Sequence, residues 1–225
     1  MRHPVHAIAA AVITTACLAA ATAYSPRAMT QEIHAMPQTS PASIKVPSTH
    51  VQSRLRDVLV DGEAAILTRH VRSDGRNQAL GGEHFSTVVS AAGVLKGFTH
   101  MSMDLAGRHL PSRERSEAIA RSFLQQHAPD LLPRMRISWI EPHDEPLTVQ
   151  RGESAETIQL TGMKVKARNL ADNRWFWVIV GADEQVMVFE RDIVWVSFPG
   201  HRKTEKWLHD NWLETQGQPA SKPRA

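Results

Sequence analysis

The chain has 225 residues, with 26 Lys and Arg against 23 Asp and Glu, so its formal charge is only +3 despite a pI of 9.3. So small an excess gives no field suited to a phosphate backbone, and with no nucleic-acid motif in the sequence it excludes nucleic acid as a partner. A single cysteine, Cys17, excludes a disulfide framework, and what remains is enough chain for one domain with an ordinary hydrophobic core.

The first 23 residues run from a basic start, Met1-Arg2-His3, through an apolar stretch between Ala7 and Ala20 to the small residues Ala21-Thr22-Ala23. That order is what a secretory signal peptidase reads, so residues 1–23 are expected to be a signal peptide, with the mature chain starting near Tyr24 in the periplasm or outside the cell. Cleavage removes Arg2 and Cys17 and leaves a net charge of +2. Lipidation of Cys17 is disfavoured because Thr14 stands where an aliphatic residue is wanted and Leu18-Ala19-Ala20 where a polar stretch is wanted. No later stretch approaches the roughly 20 apolar residues of a membrane helix, so no transmembrane segment is expected in the mature chain.

Residues 24–50 scatter Pro26, Pro37, Pro41 and Pro47 among Ser, Thr and Gln and read as a flexible leader. From Glu63 the texture changes to short runs of β-branched and aromatic residues, which predict strands over 63–71, 85–90 and 94–101, the last two forming a hairpin across Ala91-Ala92-Gly93. Ser112 is a suitable N-cap for a helix in which Ala118, Ile119, Phe123 and Leu124 recur at spacings of three and four, closed by Ala128-Pro129. Met135, Ile137 and Trp139 alternate with polar residues as in a half-buried strand. In the next strand, over 157–169, the apolar parity slips between Leu160 and Met163, and Gly162 between them predicts a β-bulge. The runs 174–181 and 186–195 are apolar at both parities, as in central strands covered on both faces, and Pro199-Gly200 precedes a last helix over 201–213. The expected fold is therefore α+β: an antiparallel sheet with one amphipathic helix packed on it and a C-terminal helix. It forms a single domain over 51–214, followed by a disordered tail over 215–225.

The helix start Ser116-Glu117-Ala118-Ile119-Ala120-Arg121-Ser122-Phe123-Leu124, a following proline, and the pair Trp177-Val178-Ile179-Val180 and Val186-Met187-Val188 around a polar turn resemble PepSY-type domains. The resemblance spans 111–195. It departs from the family in the turn Ala182-Asp183-Glu184-Gln185, which lacks the usual glycine, and in a longer insertion over 142–154. It implies a non-catalytic envelope module that binds or restrains a protein or peptide partner, a peptidase among the candidates, and it carries over no catalytic residue and no cofactor.

Candidate chemistry is sparse. Glu141, His143 and Glu145 would share one side of an extended segment and are the densest set of metal-type ligands, which makes a secreted, metal-dependent enzyme the alternative function; read without chemistry, they form an acidic loop framed by Pro142 and Pro146. No G-x-S-x-G elbow or phosphate loop is present, and an acid/base pair of fold-distant residues, Glu190 with His209 for example, is left open. Lys164, Lys166 and Arg168 make a basic stripe on one sheet face, suited to an anionic peptide or lipid head group or simply to solvent. All six tryptophans follow residue 138, and Trp195, Trp207 and Trp212 are the candidates to reach the surface as binding anchors.

Overall fold

Alternating apolar and polar residues, with β-branched and aromatic side chains at the apolar positions, fold residues 44–216, those the computed structural model describes, mostly into strands. The predicted signal peptide, Cys17 and residues 217–225 lie outside them. Strands β1 (His50–Val60), β2 (Glu63–Arg72), β3 (His84–Ser90) and β4 (Leu95–Met101) precede helix α1 (Arg113–His127). Strands β5 (Met135–Arg151), β6 (Ser154–Asn169), β7 (Trp175–Val180) and β8 (Val186–Ile193) follow it. Each set is an antiparallel meander, and pairing of β4 with β8 joins them into one eight-stranded sheet of order β1-β2-β3-β4-β8-β7-β6-β5.

The first hairpin turns on Asp61-Gly62, both at positive φ (50° and 84°), the geometry of a tight turn whose twist matches its strands. Strand β1 therefore precedes the first strand expected from the sequence. Upstream of it, Ile44 and Val46 pack against the hydrophobic core.

The expected α+β class is corrected: this is a sheet-dominated fold. Helix α1, capped by the Ser112 hydroxyl accepting from the Arg115 amide, lays Ala120 and Leu124 on Phe85, Phe98, Val165, Val178 and Phe189 of the first sheet face. It is the one long helix among the described residues. On the second face the strands themselves supply part of the cover. Strands β5 and β6 run 17 and 16 residues, and Leu147, Val149 and Leu160 near their far end bury themselves against Trp177, Ile179 and Met187 of the same sheet. The rest of that face is covered by the C-terminal segment, through Leu208 and Leu213 on Val58, Leu67 and Val88.

The two covered faces also explain the parity slip in β6. Its pairing with β5 runs unbroken through Gly162, which faces His143, and the irregularity falls instead between Ile137 and Trp139. Leu160 feeds the core of the second face and Val165 and Ala167 that of the first, so no extra residue is required. Gly162 answers a different demand: a Cβ there would lie 2.6 Å from Ile179 Cγ2 and 2.7 Å from Met187 Sδ. Glu141 to Glu145, read as a loop, belong to β5, and Pro142 and Pro146 are accommodated because β5 is an edge strand.

The helix expected over 201–213 is reduced to α2 (Asp210–Gln216). Before it, β9 (Trp195–Val196) and β10 (His201–Arg202) form a small hairpin. Arg202 donates from its side chain to the carbonyls of Thr204 (3.0 Å) and Glu205 (2.8 Å), capturing acceptors a helix would have used. No helix among the described residues is long and apolar enough to cross a membrane.

Candidate functional site

The second face holds a concentration of charge at positions whose parity is otherwise apolar. Arg69 shares its side of β2 with the buried Leu67, and it is only 3% exposed. Its guanidinium makes a two-pronged contact with Asp210 of α2, at 2.5 and 2.8 Å. The same carboxylate accepts the Gly81 amide at 2.6 Å and lies 3.6 Å from His84 Nδ1.

Glu190, on β8, is equally buried and meets Arg202 (2.7 Å) and His209 Nε2 (3.1 Å). Burial alone would raise its pKa, but the two cations outweigh it and hold the carboxyl down to about 2. For His209 burial acts downward and Glu190 upward, with a net rise. The pair left open by the sequence is thus brought together, as an ion pair buried at Glu190 and part-exposed at His209 that clamps the C-terminal segment to β8.

Between these clusters lies a cleft of about 370 Å³. The start of β3 supplies His84, β4 supplies Thr99, β5 Glu145 and Thr148, β6 Thr157, and the C-terminal segment His209, Asp210 and Asn211. The far end of the β5–β6 hairpin closes one side by meeting the β2–β3 loop: the Thr148 amide donates to the Gly81 carbonyl (2.7 Å) and the Gln150 amide to Asn77 Oδ1 (2.8 Å). Burial, reinforced by the Arg69 charge, pushes the His84 imidazole down to about 4, so it is neutral near pH 7. Its Nδ1 sits 2.8 Å from the Gly82 carbonyl and so carries the proton, which leaves Nε2 an acceptor with no partner among the described residues. The lining offers three threonine hydroxyls and, among the described residues, no serine, cysteine or lysine.

No protein-family model, curated protein or solved structure matches the chain.

The basic stripe is a comb of cations between tryptophans. Lys164 stands 4.1 Å from the centre of the Trp177 ring, Lys166 4.7 Å from Trp175 and 5.3 Å from Trp139, and Arg168 5.4 Å from Trp175. Register produces this directly, since Trp139 and Trp177 flank Lys166 on either side. Lys164 is buried, which pushes its pKa below the usual lysine value against the opposing pull of Glu145 and Glu190.

Glu141, His143 and Glu145 do share one side of β5, but Lys164 Nζ sits 3.3 Å from His143 Nε2, which in turn lies 3.4 Å from Glu145. An ammonium occupies the ground a metal would need, and no group of metal-type ligands assembles among the described residues.

The three candidate surface tryptophans divide. Trp207 and Trp212 meet edge to face at 4.5 Å, half-buried, and Trp207 Nε1 donates to the Leu59 carbonyl at 2.7 Å. Trp195 is 51% exposed.

Arg69, His84 and Asp210 were not singled out in the sequence. The available signal was Arg69 itself, a charge on the apolar side of an alternating strand, and Glu190 is the same kind of signal inside a strand apolar at both parities.

Proposed function

We propose that this chain is an exported, non-catalytic binding or regulatory module of the cell envelope, periplasmic or secreted, that holds a segment of a polypeptide partner in the cleft on its second face. The observation that carries the reading is how the cleft's charges are spent. Asp210 is paired with Arg69, His209 with Glu190, and Glu145 lies 3.4 Å from His143, while Glu214 is exposed; the rest of the polar lining is neutral, Thr99, Thr148, Thr157 and Asn211 set beside Met101, Val188 and Leu208. Hydroxyls and an amide among apolar walls suit peptide groups better than a charged metabolite. The resemblance of 111–195 to PepSY-type domains supports the same class of function and makes a peptidase the first partner to seek.

The test is capture of interacting polypeptides from native envelope extract by the tagged chain and by Asn211→Trp, which fills the mouth of the cleft from an exposed position. Captured proteins are identified by mass spectrometry, and synthetic segments of them are titrated against both forms by calorimetry. Binding of a defined peptide by the parent and at least tenfold weaker binding by the variant is expected. Equal binding by both forms, or capture of nothing beyond a tag-only control, overturns the reading.

A further inference from the structure

The hairpin formed by β9 and β10 projects the most exposed large apolar side chains of the C-terminal segment among the described residues. Phe198 at its tip is 90% exposed and Trp195 on its first strand 51% exposed. The base is firmly held, because the Val194 amide donates to Thr204 Oγ1 (2.8 Å), the Lys203 amide to the Val194 carbonyl (2.9 Å), and Arg202 to Glu190. The exposure of Phe198 is therefore imposed by an anchored hairpin. From Ile193 to Thr204 the sequence holds no Asp or Glu, while His201 and Lys203 are exposed; beyond it Glu205 turns its carboxylate to the Asp61 amide (2.8 Å) and Lys206 is exposed.

We infer that this hairpin is a docking element for an anionic lipid surface, with Phe198 and Trp195 entering the head-group region and His201, Lys203 and Lys206 facing the lipid charge. Aromatic rings flanked by cations are the pattern that the water–lipid boundary rewards, since rings enter the boundary while ammonium groups stay wet. The shape favours lipid over a protein. A protein hot spot is a ring sealed in a pocket by surrounding contacts, whereas Phe198 stands clear of its own surface, and a fluid interface moulds itself around such a tip. With two aromatic residues and two lysines the attachment is weak and reversible, and it operates independently of the cleft.

The experiment uses the full chain and vesicles of 30% phosphatidylglycerol in phosphatidylcholine, with pure phosphatidylcholine as the comparison. The parent, Phe198→Ser and the double variant Lys203→Gln/Lys206→Gln are compared by co-sedimentation. Any lipid affinity of the N-terminal segment is common to all three, so the differences report on the hairpin. Phe198→Ser is expected to lower partitioning about tenfold, and the double lysine variant about 25-fold on anionic vesicles, some fivefold per charge, with little change on neutral ones. Brominated lipids should quench fluorescence from the parent more than from Trp195→Phe, placing that ring in the bilayer boundary. Equal partitioning of Phe198→Ser and the parent, or quenching unchanged in Trp195→Phe, overturns the inference. So does a photo-crosslinker at position 198 that labels a defined protein and no lipid in intact cells.

Discussion

Replacing Asp210 by alanine tests what holds the C-terminal segment to the sheet. In the folded chain Arg69 is 3% exposed and its guanidinium is satisfied by the two Asp210 oxygens at 2.5 and 2.8 Å. Asp210→Ala strands that cation in a low-dielectric site and also deprives the Gly81 amide of its 2.6 Å acceptor. Removing one member of a buried pair costs about 3–5 kcal/mol, mostly because the other charge stays buried without compensation. In a domain of this size each kcal/mol corresponds to roughly 2–4 °C, so the melting temperature should fall by about 6–20 °C. The double change Arg69→Met/Asp210→Leu removes both charges and fills the volume, and it should return to within about 1 kcal/mol of the parent. Urea unfolding of the parent, Arg69→Met, Asp210→Leu and the double variant closes the cycle, with an expected coupling of at least ~2 kcal/mol. A loss below about 1 kcal/mol in Asp210→Ala would refute the argument, as would a double variant as unstable as the sum of the singles. Either result would mean that the pair is hydrated rather than buried.

Gly162→Ala should destabilise by about 1–3 kcal/mol, because its Cβ would overlap Ile179 and Met187; a tolerated alanine in thermal melts would mean that the strand is looser there than its packing implies. His84, neutral when folded down to about pH 4, takes up a proton below about 6.5 when unfolded, so the unfolded state binds more protons between these values and stability falls as pH drops through that window, by at most about 3 kcal/mol. His84→Gln should flatten that part of the urea-midpoint profile, and an identical pH slope in both proteins would count against the assignment. Lys166→Ala, which removes a half-exposed cation between Trp139 and Trp175, should cost no more than about 1 kcal/mol in chemical denaturation, and a larger loss would assign the comb a core role.

What the sequence disclosed depended on whether one local period served one core. Helix α1 has an N-cap at Ser112 and a 3.6-residue stripe facing a single sheet face, so both its ends and its buried side could be read directly. Strands β7 and β8 announced burial on both sides by being apolar at both parities. Strand β6 misled because its two halves serve cores on opposite faces, Leu160 on the second and Val165 and Ala167 on the first, a relation invisible in a window of ten residues. Strand β1 was missed although Asp61-Gly62 is a strong hairpin signal; Arg54 and Arg56 share the side of the buried Val58 and Val60 while Leu55 and Leu59 lie on the exposed side, so the apolar alternation is lost along the strand. The terminal helix failed for another reason. Trp207, Leu208 and Trp212 do turn inward, but hydrogen bonds donated by the Arg202 guanidinium and one accepted by the Thr204 hydroxyl from the Val194 amide hold the preceding residues in a conformation that helical spacing could not reveal.

The cleft was hidden from the sequence for the same cause that makes it a site. Each charge placed on an apolar side, Arg69 in β2 and Glu190 in β8, would be a fault in an isolated strand, and each is satisfied by residues more than ten positions away, Asp210 in one case and Arg202 and His209 in the other. All three partners lie in the 15-residue stretch 202–216, so the polar groups on the sheet act as a set of sockets that determine where this stretch docks. Hydrophobic contact by Leu208 and Leu213 supplies attraction without register; the ion pairs supply register. Because His209, Asp210 and Asn211 also form one wall of the cleft, correct docking and a complete cleft are one event. A ligand in the cleft and the pair at Arg69 should therefore stabilise the same closed arrangement, and a peptide that binds the parent should bind Asp210→Ala more weakly even though Asp210 has no spare oxygen to offer it.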